Sequence, residues 1–353
     1  MEFKRRKTKV IKVGSVKIGA NNPISIQAMA KTYTKDISAT VNQINRLKSA
    51  GADIIRVAVK DMKDAKAIKE IRRKTDIPLV ADIHFNYQFA LEAIENGIDK
   101  IRLNPGNIYN ADQIKKVVIS AKKHRIPIRI GVNSGSVKSF GVSLVDSMVK
   151  SALDYIKVLE KLEFYDIVLS LKASGVNDTI KAYEKMANRC NYPFHLGVTA
   201  TGPLIPGTIK STLAIGTLLR EGLGDTIRVS LTSDPVDEII VAKEILQSLG
   251  LKKSPLEIIS CPTCGRCEVD LIKIVNNLKD RLNGIGSRMN KAPAKRIAIM
   301  GCVVNGPGEA KEADLGVAFA RNSALVFKNG KIFKKMSQVD SINFLVKELE
   351  KIF

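Results

Sequence analysis

The sequence lacks the features of several protein classes. It has no tryptophan, and aromatic residues make up only 5% of the chain, too few for a platform on which nucleic-acid bases could stack. No stretch approaches the ~20 consecutive apolar residues of a membrane-spanning helix. The basic start of the chain is not followed by the apolar segment of a secretory signal. We therefore expect a cytoplasmic protein whose partners include neither a membrane nor nucleic acid.

Acidic residues are also scarce. Asp plus Glu number 35 against 57 Lys plus Arg, which gives a formal net charge of +22. Such an excess favours an anionic substrate, an acidic protein or nucleic acid as a partner. A generally lysine-rich composition is the alternative, because the charge is spread along the chain. The length of 353 residues and the 45% hydrophobic content fit a globular protein with two domains, or one barrel with an appendage.

Short β-branched runs alternate with amphipathic segments over residues 25–250, the pattern of repeated βα units around a parallel sheet. Eight candidate strands begin at Ser25, Asp53, Leu79, Lys100, Ile128, Asp166, Phe194 and Thr226. Eight such units predict a closed (β/α)8 barrel, a TIM-type barrel, over residues 1–250. An open, doubly wound sheet is the alternative, but neither G-x-G-x-x-G nor a P-loop follows the first strand.

The pattern changes at residue 251, and residues 251–353 predict a small α+β domain that contains four of the five cysteines. Its predicted strands are Leu256 to Cys261 and Arg296 to Cys302, and its predicted helices are Val269 to Leu282 and Val339 to Ile352. A hairpin turn is predicted at Asn329–Gly330.

Charged residues recur in the candidate barrel strands, where each is costly unless it lies at the carboxyl end that builds the active site. The cations are Arg56, Arg102, Arg129, Lys172 and Arg228. Five cations at one barrel mouth would repel one another unless a multiply charged anion, most simply a phosphate or diphosphate, neutralises them. Pairing with acids across the barrel is the alternative, although the strands offer few acids apart from Asp82. His84 and His195 fit either a core or a site position, and His124 fits the surface.

The cysteines form a second candidate site. An odd number and a C-x-x-C without a secretory signal favour metal binding or thiol chemistry over a disulfide framework. Cys261 and Cys264 follow one candidate strand and Cys302 follows another, so three thiolates could meet at one centre, with Cys267 or Glu309 as a fourth ligand. An iron–sulfur cluster and a zinc ion fit this spacing equally well, whereas a thioredoxin-like pair lacks its βαβ context.

Six segments together resemble a known family, the 4-hydroxy-3-methylbut-2-enyl diphosphate synthases of the methylerythritol phosphate pathway. They are ADIHF (81–85), IRLNPGN (101–107), IRIGVNSGS (128–136), GDTIRVSLTSDP (224–235), SCPTCGR (260–266) and MGCVVNGPGEAKEADLG (300–316). The resemblance covers nearly the whole chain. It implies a TIM-type barrel joined to a [4Fe-4S] domain, in a head-to-tail homodimer whose cluster domain covers the barrel of the other subunit.

The resemblance also implies an oxidoreductase of isoprenoid biosynthesis. It would open 2-C-methyl-D-erythritol 2,4-cyclodiphosphate reductively and remove a hydroxyl as water, with flavodoxin or ferredoxin as the electron donor. The implied cluster ligands are Cys261, Cys264, Cys302 and Glu309. The implied substrate ligands are Arg56, Arg102, Arg129, Asn133, Lys172, Thr199, Arg228 and Ser230. Catalytic roles would fall on Glu309, Lys172 and His84.

The chain departs from the family pattern at its seventh barrel strand, where the usual VTEAG reads VTATG (198–202). The family's glutamate is proposed as an acid/base group, so Ala200 in its place leaves a catalytically impaired paralogue as one alternative function. Cys267 is an extra thiol beside the implied cluster. A metal-stapled basic protein that binds nucleic acid is a second alternative function. A pterin-binding barrel of the dihydropteroate synthase kind is a third, and it would not explain the cysteines.

Overall fold

The computed structural model describes residues 4–283, 295–304 and 306–352. The chain divides into two compact units, Met1–Lys252 and Lys253–Phe353, and each has its own apolar core. Among the described residues, no helix is both long and apolar enough to cross a membrane.

The first unit begins with a short antiparallel hairpin of β1 (Ile11–Val13) and β2 (Val16–Ile18). Val13 and Ile18 are fully buried and pack against two residues near the amino ends of barrel strands, Ile54 and Val80. The hairpin therefore covers the end of the barrel opposite the expected active site. It was not predicted, because strands of three residues carry too little periodicity to be recognised.

Eight parallel strands follow, and they are the eight that the sequence predicts. Their bounds are β3 (Ser25–Met29), β4 (Ile54–Val59), β5 (Leu79–Ile83), β6 (Lys100–Leu103), β7 (Ile128–Asn133), β8 (Ile167–Lys172), β9 (His195–Leu196) and β10 (Thr226–Ile227). The hydrogen-bonded order is β8-β7-β6-β5-β4-β3-β10-β9. A parallel bridge between Leu169 and Phe194 joins β8 to β9 and closes the ring. The predicted (β/α)8 barrel is confirmed.

One helix follows each barrel strand. The helices are α1 (Ile37–Ala50), α2 (Met62–Arg73), α3 (Tyr87–Glu95), α4 (Ala111–His124), α5 (Leu144–Lys161), α6 (Val176–Ala187), α7 (Leu204–Arg220) and α8 (Pro235–Ser248). Six of them begin at a side chain that accepts a hydrogen bond from the first turn: Asp36, Asp61, Asn86, Asn110, Ser143 and Asp234. These caps fix where the helices begin, and so hold the loops that follow the carboxyl ends of the strands.

The second unit is a five-stranded mixed sheet with helices. Its strands, in spatial order, are β11 (Leu256–Ser260), β12 (Lys295–Met300), β13 (Leu315–Ala320), β14 (Ser323–Lys328) and β15 (Lys331–Met336). The first three are parallel and the last two antiparallel. The helices are α9 (Leu271–Asn283), α10 (Gly306–Ala310) and α11 (Gln338–Ile352).

The hairpin turn between β14 and β15 lies where the sequence predicts it. Asn329 and Gly330 both have positive φ, +50° and +76°, as the two central residues of a type I′ turn require. A side chain at Gly330 would also place its Cβ 2.7 Å from the backbone oxygen of Lys311. The strand β13 and the short helix α10 were not predicted.

Candidate functional site

A cavity of about 110 Å3 opens at the carboxyl ends of the barrel strands, and we call it the mouth pocket. It is lined by all of the implied substrate ligands and by four further residues: Arg56, Arg102, Arg129, Asn133, Lys172, Thr199, Arg228 and Ser230, with Asp82, His84, Ser170 and Val198. The barrel register explains the grouping. Asp82 on β5 is aligned with Arg102 on β6, which is aligned with Arg129 on β7, so three charged side chains stand abreast on one face of the sheet.

Asp82 is the acid at the centre of the mouth pocket. Its Oδ1 accepts a hydrogen bond from Arg102 Nη1 at 3.2 Å, and its Oδ2 lies 3.9 Å from Arg56 Nε and 3.5 Å from His84 Nε2. Burial alone would raise the pKa of Asp82, but Arg56, the hydrogen bond with His84, and the further arginines together hold that pKa well below its usual range. Asp82 is therefore ionised and neutralises only part of the charge around it.

A second acid, Glu238 in the first turn of α8, was not predicted as a site residue. It is buried, and its carboxylate lies 3.2 Å from Arg228 Nη2 and 3.3 Å from Lys31 Nζ. Glu238 also accepts a hydrogen bond from the backbone amide of Leu231 at 2.9 Å. Pairing with an acid, the alternative to anion binding, thus occurs for Arg228 with Glu238 and for Arg56 and Arg102 with Asp82.

Among the described residues, no carboxylate forms a salt bridge with Arg129 or Lys172. Both side chains are buried, and Arg129 Nε and Nη1 have no hydrogen-bond partner among the described residues. Lys172 Nζ lies 3.3 Å from His195 Nε2, a neutral partner. Burial, and then repulsion from Arg56 and other arginines, lowers the pKa of both cations. Since a buried cation without a counter-charge is costly, the floor of the mouth pocket can accommodate an anion.

Further polar groups lie in the barrel beneath the mouth pocket. Lys100 is fully buried, and its Nζ has no partner among the described residues; the side-chain amide of Gln27 also lacks one. Burial and the nearby Arg129 and Arg56 lower the pKa of Lys100. Lys100 was not among the predicted site residues, although it stands two residues before Arg102 and therefore on the same face of β6.

Asp82→Asn should destabilise the protein by about 3 kcal/mol, because it removes a buried acid that Arg56 and Arg102 share. The pKa of Asp82 is depressed in the folded state, so its contribution is complete above the unfolded pKa of about 3.9 and is lost as the pH falls below it. Urea unfolding of wild type and variant should therefore give a difference in unfolding free energy that is constant from pH 7 to about pH 4. Below about pH 4 this difference should shrink.

Asp76→Asn is the matched control, since Asp76 pairs with Lys48 on the surface with a side chain that is 80% exposed. It should change the unfolding free energy by less than about 1 kcal/mol. A zero difference for Asp82→Asn at pH 7, or one that persists unchanged at pH 3, would contradict the electrostatic account of the mouth pocket.

A second cavity, of about 410 Å3, lies in the second unit, and we call it the cysteine cavity. Cys261, Cys264, Cys302 and Glu309 all line it. The parallel strands β11 and β12 pair through Ser260 and Ile299, so the loops after them bring Cys261 and Cys302 to the same edge. Glu309 lies on α10, within the segment 300–316; Asn305 of that segment lies outside the described residues.

Cys267 does not line the cysteine cavity, unlike the other three thiols of this unit, although it packs against the same apolar core as Cys261. Its Sγ donates a hydrogen bond to the backbone oxygen of Val269 at 3.2 Å, and its side chain packs against the apolar core of the second unit. Any side chain at Gly301 would overlap the Cys267 sulfur. The backbone amide of Gly301 donates to Cys261 Sγ at 3.3 Å, and the same Cβ would lie 3.5 Å from that sulfur. Cys190 lies in the first unit, in contact with Met186.

Comparisons with known proteins agree on one family. The family model described as GcpE TIM-barrel domain matches residues 8–243, and the one described as GcpE protein C-terminal domain matches residues 257–351. Several curated relatives are named 4-hydroxy-3-methylbut-2-en-1-yl diphosphate synthase (flavodoxin). That of Caldanaerobacter subterraneus subsp. tengcongensis is 53% identical over 99% of this chain and 98% of its own length. That of Fusobacterium nucleatum is 51% identical over 98% and 97%.

Solved structures support the architecture of the first unit. Dihydropteroate synthase from Stenotrophomonas maltophilia covers 70% of this chain and 100% of its own, with a TM-score of 0.52 and 13% identity. The Yersinia pestis enzyme gives the same TM-score and identity over 69% of this chain and 99% of its own. Such low identity shows a shared barrel fold alone. The family models and the curated relatives, by contrast, span both units, and the chain belongs to the GcpE family of 4-hydroxy-3-methylbut-2-en-1-yl diphosphate synthases.

Proposed function

We propose that this chain converts 2-C-methyl-D-erythritol 2,4-cyclodiphosphate into 4-hydroxy-3-methylbut-2-enyl diphosphate in isoprenoid biosynthesis, with flavodoxin as the electron donor. The observation that carries the proposal is the presence, in one chain, of a pocket whose buried cations outnumber its acids and of a cavity lined by three cysteines and a glutamate. The first suits a diphosphate and the second suits an electron carrier. The names of the relatives support both assignments.

The cations of the mouth pocket would bind the cyclic diphosphate and then stabilise it as a leaving group. Arg129 presents two nitrogens that have no partner among the described residues, and Lys172 lies on the next strand, aligned with Asn133. When the carbon–oxygen bond that closes the ring breaks, negative charge accumulates on the freed phosphate. Donors already fixed by burial stabilise that charge without reorganisation, which is the usual source of electrostatic catalysis. Asn133, Thr199 and Ser230 would complete the polar lining.

The residues of the cysteine cavity fit a [4Fe-4S] cluster. Cys261, Cys264, Cys302 and Glu309 would hold it, and the amide of Gly301 already donates to one of these sulfurs. Among the described residues, no three Cys, His, Asp or Glu side chains converge as they would around a single ion. Three thiolates and a carboxylate around one cavity match the number of ligands of such a cluster, in which each ligand binds a different iron.

When bound, the cluster would supply electrons one at a time. Glu309 binds soft iron more weakly than a thiolate does, so its position would be the most easily exchanged. Residues 251–353 would thus form the cluster domain, and residues 1–250 the substrate-binding domain. The net charge of +22 would help an acidic flavodoxin to approach.

Anaerobic turnover tests the proposal. The reconstituted full-length protein is incubated with the cyclodiphosphate and reduced flavodoxin, or dithionite with methyl viologen, and the products are separated by chromatography. We expect the linear allylic diphosphate to form only when both protein and reductant are present. A reconstituted protein that binds the cyclodiphosphate but forms no product with either donor would instead be the impaired paralogue.

We also propose that the active species is a homodimer in which the cluster of one subunit serves the barrel of the other. Two impaired variants, Cys302→Ser and Arg129→Met, should then recover activity at a subsaturating cyclodiphosphate concentration when unfolded together, refolded and reconstituted. Random reassortment should give roughly a quarter of wild-type activity, because half of the dimers would contain one site with both parts intact. Each variant treated alone in the same way is the control. No recovery, or full activity in a strictly monomeric protein, would contradict the arrangement.

A further inference from the structure

The floor of the mouth pocket contains a lysine–histidine pair that the proposed function has not yet used in full. Lys172 ends β8, and its Nζ lies 3.3 Å from Nε2 of His195 on the neighbouring strand β9. His195 is fully buried, and its other ring nitrogen, Nδ1, lies 3.4 Å from the hydroxyl of Thr226 on β10. Three adjacent strands therefore contribute to one short polar chain that ends at the pocket.

The donor and acceptor roles in this chain follow from its chemistry. A lysine ammonium can only donate, so Nε2 of His195 has to accept and its proton has to sit on Nδ1, facing Thr226. Burial, and then repulsion from Lys172 and Arg129, lowers the pKa of His195 and keeps the ring neutral. His195 is thus the neutral acceptor that fixes the direction of the Lys172 ammonium.

The proposed reaction needs a proton. At neutral pH the cyclic diphosphate carries two negative charges and the linear product three. Two carbon–oxygen bonds break, one to the ring phosphate and one to the hydroxyl, and a carbon–carbon double bond forms. Two electrons from the donor and one proton enter, and one water leaves. The hydroxyl is a poor leaving group until it receives that proton.

Within the described lining of the mouth pocket, apart from what a partner's cluster domain would add, few groups can supply it. The arginines do not lose their protons in proteins, and Asp82 is held ionised by its cations. His84 is 41% exposed at the rim, where its Nε2 lies 3.3 Å from Arg102 Nη1. Lys172 is the remaining proton carrier, and it is buried at the floor of the pocket.

We propose that Lys172 delivers the proton that turns the departing hydroxyl into water, and that His195 is the positioning residue that aims its ammonium. The inference rests on the proposed function and adds a residue, His195, to its site. Lys172 would regain its proton from water after the product leaves.

The charges around the pair favour proton release. Burial, followed by repulsion from Arg129, Arg56, Arg228 and Arg102, lowers the pKa of Lys172, so this ammonium is a stronger acid than an ordinary lysine. Other titratable and charged groups face the pair from the elements packed against it. From the barrel strands they are Arg56 (β4), Asp82 (β5), Lys100 and Arg102 (β6), Arg129 (β7) and, after β10, Arg228. From α6, Tyr183 donates a hydrogen bond to the backbone oxygen of His195.

Two substitutions at His195 distinguish its role as hydrogen-bond acceptor for Lys172 from its role in packing. His195→Leu removes the acceptor, and His195→Gln keeps an oxygen that can accept from Lys172. We expect the leucine variant to lower kcat by about 10- to 100-fold, with the Kd for the cyclodiphosphate within about 3-fold of wild type. The alkaline limb of its kcat–pH profile should also lie about one pH unit lower than in wild type. The reason is that the Lys172 ammonium loses its proton more readily without its acceptor. The glutamine variant should retain most of the wild-type kcat and an alkaline limb close to that of wild type.

His124→Leu is the matched control, since His124 lies at the end of α4, where its Nδ1 faces the backbone oxygen of Ser120; it should leave kcat and its pH profile unchanged. If His195→Leu does not fold, as judged by its circular dichroism spectrum and thermal unfolding, Thr226→Val replaces it and should shift the same limb by a smaller amount. Wild-type kcat and an unmoved alkaline limb in the folded His195→Leu variant, or in Thr226→Val, would overturn the inference and leave the proposed function intact. A wild-type protein that forms no product overturns both.

Discussion

Cys302→Ser should remove the iron–sulfur cluster and lower turnover by more than about 100-fold. Cys302 lines the cysteine cavity with Cys261 and Cys264, and even an outer partner of a metal ligand is commonly worth 10- to 100-fold. A serine oxygen is a harder and more basic donor than the thiolate that soft iron prefers. Iron and acid-labile sulfide content, the visible absorption of the anaerobic protein and its turnover give three independent readouts.

Cys267→Ser is the matched control within the same motif. Because Cys267 does not line the cysteine cavity and its thiol donates to the backbone oxygen of Val269, we expect this variant to keep its iron, sulfide and colour. Glu309→Ala should lower activity, and should weaken cluster retention less than the loss of a cysteine does. If Cys267→Ser loses the cluster while Glu309→Ala keeps both spectrum and activity, Cys267 is the fourth ligand and the assignment of Glu309 is wrong.

Arg129→Met should weaken binding of the cyclodiphosphate by about 10- to 100-fold, the value of one or two hydrogen bonds to a charged group. The same substitution should raise the thermal unfolding midpoint of the ligand-free protein. Arg129 is buried among other cations, and its Nε and Nη1 have no partner among the described residues, so an apolar side chain of similar length removes a desolvated charge and its repulsion. Calorimetric titration and a thermal scan measure the two effects.

Arg220→Met is the comparison, because Arg220 is exposed at the end of α7. It should change neither the affinity nor the unfolding midpoint appreciably. An Arg129→Met variant that binds the cyclodiphosphate normally would remove Arg129 from the substrate ligands. A marked fall in its unfolding midpoint would mean that Arg129 is already neutralised by a partner, and the mouth pocket would then not be short of negative charge.

Periodicity accounts for how much of the fold could be predicted. The eight barrel strands are recognisable because each is a short β-branched run between amphipathic helices. The hairpin of β1 and β2 is too short to carry that signal. The strand β13 reads LGVAFA, an apolar run without alternation, because both of its faces are buried: Val317 and Phe319 pack in one apolar cluster and Ala318 packs in another.

Alternation likewise placed Arg102 and Arg129 on one face of the sheet, and the structure brings them together in the mouth pocket. It could not find Glu238, because that residue reaches Arg228 from a helix, through tertiary packing that leaves no local pattern. For the same reason the role of His195 stayed open. Its partner Lys172 lies 23 positions earlier in the chain, and the two meet only because β8 and β9 are neighbours where the barrel closes.

The measurement that tests the account most directly is the number of electrons consumed for each product molecule. Reconstituted protein is titrated anaerobically with a calibrated reductant in the presence of excess cyclodiphosphate, and the linear allylic diphosphate is quantified in the same samples. The account predicts two electrons per product molecule and no product without reductant. The Cys302→Ser and Arg129→Met proteins should form product more slowly than wild type. Product formed without electron uptake, or electron uptake without product, would contradict it.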